Sequence, residues 1–179
     1  MILGLDLSTS ISGLTVIDDV GKVLHCSHID LKKFDSLYNK TEQVRFILKQ
    51  IIFDNYTLKP DKVFIESSLL TFAGGKSSAS VIATLTKMNG IISYIIERDF
   101  CIVPEFIMAT SARKNCGIKI VKNGTKAKEQ CMQHFIQNEK WFVENNLQYK
   151  KTGKIKDFCY DEMDSAIIAR AGFIQSKQQ

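Results

Sequence analysis

The alternation of apolar and polar positions divides the chain into strands and helices from its first residue. Residues 2–7 (Ile-Leu-Gly-Leu-Asp-Leu) are nearly all apolar and read as a buried strand. Residues 12–18 and 23–29 read as two more, joined through Asp18-Asp19-Val20-Gly21, where Gly21 can take positive φ in a tight hairpin. Two antiparallel joints so early exclude a purely parallel sheet. Residues 41–53 place Val44, Ile47, Leu48, Ile51 and Ile52 on one helical stripe, with Thr41 as the expected N-cap. Pro60-Asp61 restarts the chain, and 62–66 is a fourth strand. A long helix is expected over 77–98, with Val81, Leu85, Met88, Ile92 and Ile95 on one side. A short fifth strand is expected over 101–103, stopped by Pro104, and two further helices over 125–138 and 161–175. The stretch 145–158 reads as a basic linker, mobile without ligand, and 175–179 as a frayed tail. The resulting order, βββ-α-β-α-β-α-α, predicts an α/β domain. Its mixed five-stranded sheet would have three antiparallel strands, then two parallel ones brought back by helical crossovers.

Length and composition set broad bounds. At 179 residues the chain is expected to form one domain, 1–179, with a sizeable core. Apolar content of 45% and charged content of 24% are ordinary for a soluble globular protein. No signal-like segment opens the sequence, and no apolar run approaches the ~20 residues of a membrane span. Cys26, Cys101, Cys116, Cys131 and Cys159 are odd in number and scattered, which argues against a zinc site or a disulfide framework. Reduced, mostly buried thiols in a cytosol-like compartment are expected.

The net charge of +5 is unevenly spread. Between Arg113 and Lys156 lie eleven Lys or Arg and three acids, a local excess of eight, which leaves −3 for the rest of the chain. A basic tract in a chain that elsewhere concentrates acids is the pattern of an enzyme acting on nucleic acid. The same count also describes a solvated, Lys-rich surface.

Four carboxylates sharpen that choice. Asp6 sits in an otherwise apolar strand, where an unpaired carboxylate is costly, so it needs a cation or hydrogen-bond donors. Its bland alternative is a turn cap on Ser8 or Ser10. Glu66 ends the run Val-Phe-Ile, although Glu is a poor strand former. Asp161 and Asp164 are three apart and share a helix face; Asp161 could instead be an N-cap. Acids that meet only through folding suit hard divalent cations such as Mg²⁺. Two such ions held by shared carboxylates stabilise both the attacking and the leaving oxygen in phosphodiester hydrolysis. Asp157 is an outer-shell candidate, whereas Glu162 is expected to face elsewhere into solvent. Gly4, Ser8, Ser10 and Gly13 form either a phosphate approach or a tight turn. Gly74-Gly75-Lys76, just before the long helix, places amides and an ammonium where a phosphate could sit. His25, His28 and His134 are isolated, and Trp141 and Phe142 are expected to seal the core.

The segments GLDLSTSISG (4–13), VFIES (63–67), ARKNCG (112–117), GTKAKEQ (124–130) and DEMDSAIIA (161–169) resemble the RuvC family of Holliday-junction resolvases, within the ribonuclease H-like fold. The resemblance runs from Met1 to about Phe173, and its opening and closing motifs are specific as a pair. It implies a homodimeric endonuclease that cleaves Holliday junctions and other branched DNA and leaves 5′-phosphate ends. It also implies two Mg²⁺ per site, with Mn²⁺ as a substitute. By position, the catalytic and metal-binding acids fall on Asp6, Glu66, Asp161 and Asp164. DNA contacts fall on Phe72, Lys76, Arg113, Lys114, Lys126 and Lys128. Many family members place an aromatic residue three positions after the second acid. Here that residue is Leu69, and Phe72 is the nearest aromatic. The segment 140–161 is also longer and more basic than in bacterial members. Both differences suit a phage-type or organellar relative and loosen the expectation of strict four-way-junction selectivity. The dimer is expected to form through the helix 77–98, whose Ile82, Ile91, Tyr94 and Ile96 lie off the main stripe. Two other readings stand beside this one. The first is a non-catalytic binder of branched DNA. The second is a sugar-kinase or actin-like domain, since GLDLSTSISG also resembles a first phosphate loop; but the chain is short for that and has no second Asp-Gly loop.

Overall fold

The computed structural model describes residues 1–53, 58–67, 79–122 and 124–178. Its sheet has the order β3-β2-β1-β4-β5. The strands are β1 (Ile2–Asp6), β2 (Ile11–Ile17), β3 (Val23–Asp30), β4 (Lys62–Glu66) and β5 (Glu105–Ile107). β1 to β3 pair antiparallel, and β4 and β5 return parallel to β1, as the element order predicts.

The two-residue period of each strand sorts side chains onto two faces. Leu3, Leu5, Leu14, Val16, Val63 and Ile65 point to one apolar cluster. That cluster is closed by α1 (Leu37–Ile47), which runs on into a π-helical segment (Leu48–Phe53), and by α2 (Ala79–Phe100). Ile2, Ile17, Phe64 and Ile107 point the other way. Over them lie α3 (Ala109–Asn115), α4 (Ala127–Asn138), α5 (Lys140–Asn145) and α6 (Asp157–Ser176). α6 crosses β1 and β2 so closely that a Cβ on Gly4 would strike the backbone of Ser165 and Ala169, and one on Gly13 the backbone of Asp161. Thr15 and Ser165 join their hydroxyls across this contact at 2.8 Å. The glycines of the opening motif therefore serve helix packing. Its serines close a turn: the Ser8 hydroxyl donates to the Ile11 carbonyl at 2.6 Å.

Several expected boundaries shift. The fifth strand lies after Pro104, not before it. α2 continues to Phe100, and Cys101, at φ 57°, turns the chain out of it. Pairing with β4 begins only at Glu105. α1 starts four residues before Thr41. Ser36 is its cap, accepting from the Asn39 amide, while Thr41 is buried inside the helix. α3 and α5 are too short to show a period. The stretch 145–158 folds back on itself through a bridge between Tyr149 and Ile155, and its last two residues belong to α6.

α2 is also long and apolar enough, by length and composition, to cross a membrane, unlike any run recognised in the sequence. In the fold its Met88, Ile92, Ile95 and Ile96 are buried against the sheet.

Candidate active site

Strand parity brings the acids together. Asp6 and Glu66 end the adjacent parallel strands β1 and β4 and share the face covered by α6. α6 begins at Asp157, so Asp161 lies in its second turn and is no N-cap. Asp161 and Asp164, one turn apart, face the strand ends. All four carboxylates line one cavity of about 240 Å³, together with Ser8, Ser67, Ile82, Leu85, Asn89 and Lys128.

The electrostatics of this cavity are those of crowded, half-buried acids. Burial holds the Asp6 carboxyl well above the usual carboxylate range, and Glu66 and Asp164 push it the same way. Burial, followed by the Asp164 charge, pushes Glu66 up to about 7. Asp161 is also raised by burial, against the opposing pull of Lys128. Lys128 is the local counter-charge. Its Nζ lies 3.1 Å from Asp164 Oδ2 and 3.3 Å from Asp161 Oδ1. Burial disfavours that ammonium, yet Asp164, Asp161 and Asp6 together raise its pKa. Arg113, on α3, comes within 3.9 Å of Asp164 from the far side.

The fit to a divalent cation divides into chemistry and geometry. Four carboxylates in one cavity are an all-oxygen donor set of the kind Mg²⁺ and Mn²⁺ prefer. Burial, and the carboxylates' own charges after it, raise the pKa of Asp6, Glu66 and Asp161 despite the opposing Lys128. Among the described residues, however, no three acidic, imidazole or thiol groups converge tightly enough to ligate one ion as they stand. The Lys128 ammonium lies between Asp161 and Asp164, where an ion shared by those two would sit. The residues fit the cation once that side chain withdraws.

The other candidates divide. Lys114 and Lys126 are exposed on the same flank, at the end of α3 and just before α4. Phe72 and Lys76, with Leu69 and the glycines at 74 and 75, lie outside the described residues. Asp157 is exposed and paired with Lys150 at 3.0 Å, and lines a neighbouring cavity with Lys128 and Asp161, at the edge of the acid site.

Glu162 corrects the sequence expectation, being buried rather than solvated. It accepts from Asn146 Nδ2 at 3.0 Å and pairs with His28 Nδ1 at 2.7 Å. His28 in turn stacks on Phe158 with ring centroids 4.1 Å apart. This cluster ties the start of α6 to β3 and to the 145–158 stretch, fixing the helix that carries Asp161 and Asp164.

Asn89 escaped the sequence reading. Its amide donates to the Glu66 carbonyl at 3.1 Å and holds the end of β4 against α2. The signal was there: a polar residue between Met88 and Ile92 on the buried side of an apolar helix.

No protein-family model matches the sequence, and no curated protein does. Solved structures do. RuvC from T. thermophilus in complex with a Holliday junction substrate superposes with a TM-score of 0.66 at 9% identity, covering 99% of this chain and 94% of that one. A further Thermus thermophilus RuvC structure gives 0.60 at 11% identity, over 99% and 95% of the two chains. The yeast mitochondrial Holliday junction resolvase Ydc2 gives 0.60 at 15% identity, over 99% and 79%. The architecture is therefore RuvC-like, a ribonuclease H-like mixed sheet with helices on both faces.

Proposed function

We propose that this protein is a divalent-cation-dependent endonuclease that hydrolyses phosphodiester bonds in branched DNA, Holliday junctions foremost. One observation carries the reading: β1, β4 and α6 of a RuvC-like fold deliver Asp6, Glu66, Asp161 and Asp164 into one cavity. Asp6, Glu66 and Asp161, held above the usual carboxylate range by burial first and by neighbouring carboxylates second, favour added positive charge. Mg²⁺, or Mn²⁺ in its place, would be held by these four carboxylates, two ions per site. When bound, the ions would activate water and neutralise charge on the phosphate, giving a 3′-hydroxyl and a 5′-phosphate.

The protein's own groups prepare that chemistry. Asp6, on a strand clamped between two others, would be one of the four carboxylates holding the cations. Asn89 and the sheet fix Glu66, and the Glu162 cluster fixes α6. Lys128 balances Asp161 and Asp164 in the metal-free protein. With cations bound, its ammonium becomes available to a phosphate oxygen. Arg113, Lys114 and Lys126 extend the positive surface and hold backbone phosphates without reading sequence. We further propose a homodimer through α2, which would present two identical sites to opposed strands of a junction. Tyr94 and Val81 are 60% and 48% exposed on that helix. Ile96, expected off the core stripe, is in fact buried within the protomer.

A second reading has one observation in its favour. A Lys128 that never leaves Asp161 and Asp164 would make the protein a junction binder without activity. A nuclease assay on a synthetic four-way junction, with flap and linear duplex controls, separates the two. Wild type cuts the junction with Mg²⁺ and not in EDTA, and Asp6→Asn binds it without cutting. Cleavage by Asp6→Asn at the wild-type rate removes the site assignment; no cleavage by wild type on any branched substrate favours the binder.

A further inference from the structure

A second and larger cavity, about 680 Å³, opens beside the acid site between α3, the turn after it and the start of α4. Its walls combine two chemistries. Ile118, Ile120 and Val121 supply apolar surface, while Arg113, Lys114 and Lys119 supply cations, and among the described residues no carboxylate lines it. Ile120 and Val121 are 40% and 55% exposed. Apolar side chains held open to solvent within a cationic rim suit an amphipathic anion.

The cavity is built rather than incidental. Gly117, at φ 71°, turns the chain out of α3. The Gln130 side chain then clamps Val121 by both backbone groups, accepting from its amide at 2.9 Å and donating to its carbonyl at 2.8 Å. Its volume falls within the range of small-ligand sites, about 300–1,000 Å³.

Two residues tie the cavity to the acid site. Arg113 lines it and comes within 3.9 Å of Asp164. Ala127 lines it, and the next residue, Lys128, bridges Asp161 and Asp164.

We infer that this cavity takes an unpaired nucleobase of the strand whose phosphate lies at the acid site. The base would lie against Ile120 and Val121, and the flanking phosphates against Lys114 and Lys119. A paired, stacked base cannot enter, so the cavity favours DNA with bases free at a branch. The inference rests on the nuclease reading and adds to it a base-binding subsite.

The test uses the full chain and two fluorescein-labelled pentanucleotides in EDTA, all-thymidine and the same strand with a central abasic site. Both present the same phosphates. Fluorescence anisotropy should show the all-thymidine strand binding about tenfold tighter, the scale of burying roughly 55 Å² of apolar surface. Ile120→Ala with Val121→Ala should reduce that ratio to about threefold or less while leaving the abasic affinity unchanged. Lys119→Ala should weaken both strands alike and preserve the ratio. Equal affinity of wild type for the two strands overturns the inference, as does a ratio untouched by the double variant. A double variant that changes the sedimentation of the protein but not the ratio assigns the cavity to a second copy of the chain, and likewise overturns it. Junction cleavage by wild type with Mg²⁺ is measured on the same preparation. Cleavage without base discrimination removes the subsite alone. Absence of both cleavage and DNA binding removes the nuclease reading and the subsite with it.

Discussion

Gly13 and Asp161 meet backbone to backbone, and a Cβ at position 13 would overlap the Asp161 carbonyl. Gly13 is also the register partner of Asp6 across β1 and β2. A position without a side chain thus sets the distance between Asp6 and Asp161. Gly13→Ala should push α6 outward at the turn that bears Asp161. Overpacking of this kind costs about 1–3 kcal/mol, a fall in Tm of several degrees. Cleavage should fall further than stability, by about 10²-fold, because misplacement of roughly an ångström is felt at the reacting atoms. Thermal melts and junction cleavage on the same variant separate the two effects.

The raised pKa of Glu66 gives a stability signature in the metal-free protein. At about 7 it lies above the unfolded value near 4.5, so between those limits the folded state holds the extra proton. Stability contributed by that proton is full below pH 4.5 and is lost as pH rises toward 7. Glu66→Gln should therefore be more stable than wild type at pH 8 in EDTA, by about 3 kcal/mol at most. The gap should close toward pH 5. Denaturant titrations at both pH values check this, and a variant less stable than wild type at pH 8 contradicts the crowded-acid picture. Added Mg²⁺ should stabilise wild type more as pH rises, since the ligands must first lose their protons.

DNA affinity should depend steeply on salt. With about six phosphates contacted, log K against log[salt] should slope near −5. Removing Lys126 and Lys128 together should flatten that slope by about 2. An unchanged slope takes both lysines off the DNA surface.

The dimer proposal has a direct readout. Ile91 lies half-buried on α2, one turn from the exposed Tyr94. Ile91→Asp should leave the fold intact by circular dichroism and convert a dimer to a monomer by sedimentation. Wild type that sediments as a monomer at tens of micromolar, without DNA, counts against α2 as the interface.

Much of the site could be read before the structure because its acids break local rules. Asp6 interrupts an apolar strand and Glu66 ends one, and such conflicts mark function more often than error. The antiparallel and parallel pairing of the strands followed from two hairpin joints and two helical crossovers. What could not be read depends on contacts distant in sequence. Glu162 looked solvated because its partners, His28 and Asn146, lie 134 and 16 residues away. Gly4 and Gly13 looked like turn chemistry because the helix that needs their bareness begins at Asp157. β5 was misplaced because Pro104 reads as a strand stop, while here it stands immediately before an edge strand, where a missing amide costs little.

The site draws its first acid from residue 6 and its last from residue 164, and α6 lies across β1 and β2 to join them. On the ribosome the sheet's first three strands are complete long before that helix emerges. Until it docks, Asp6 and Glu66 have no Asp161 or Asp164 beside them. A chain cut before α6 would keep Lys114, Lys126 and Lys128 but leave Asp6 and Glu66 without Asp161 and Asp164 beside them. On the proposed reading, such a fragment would hold DNA without hydrolysing it.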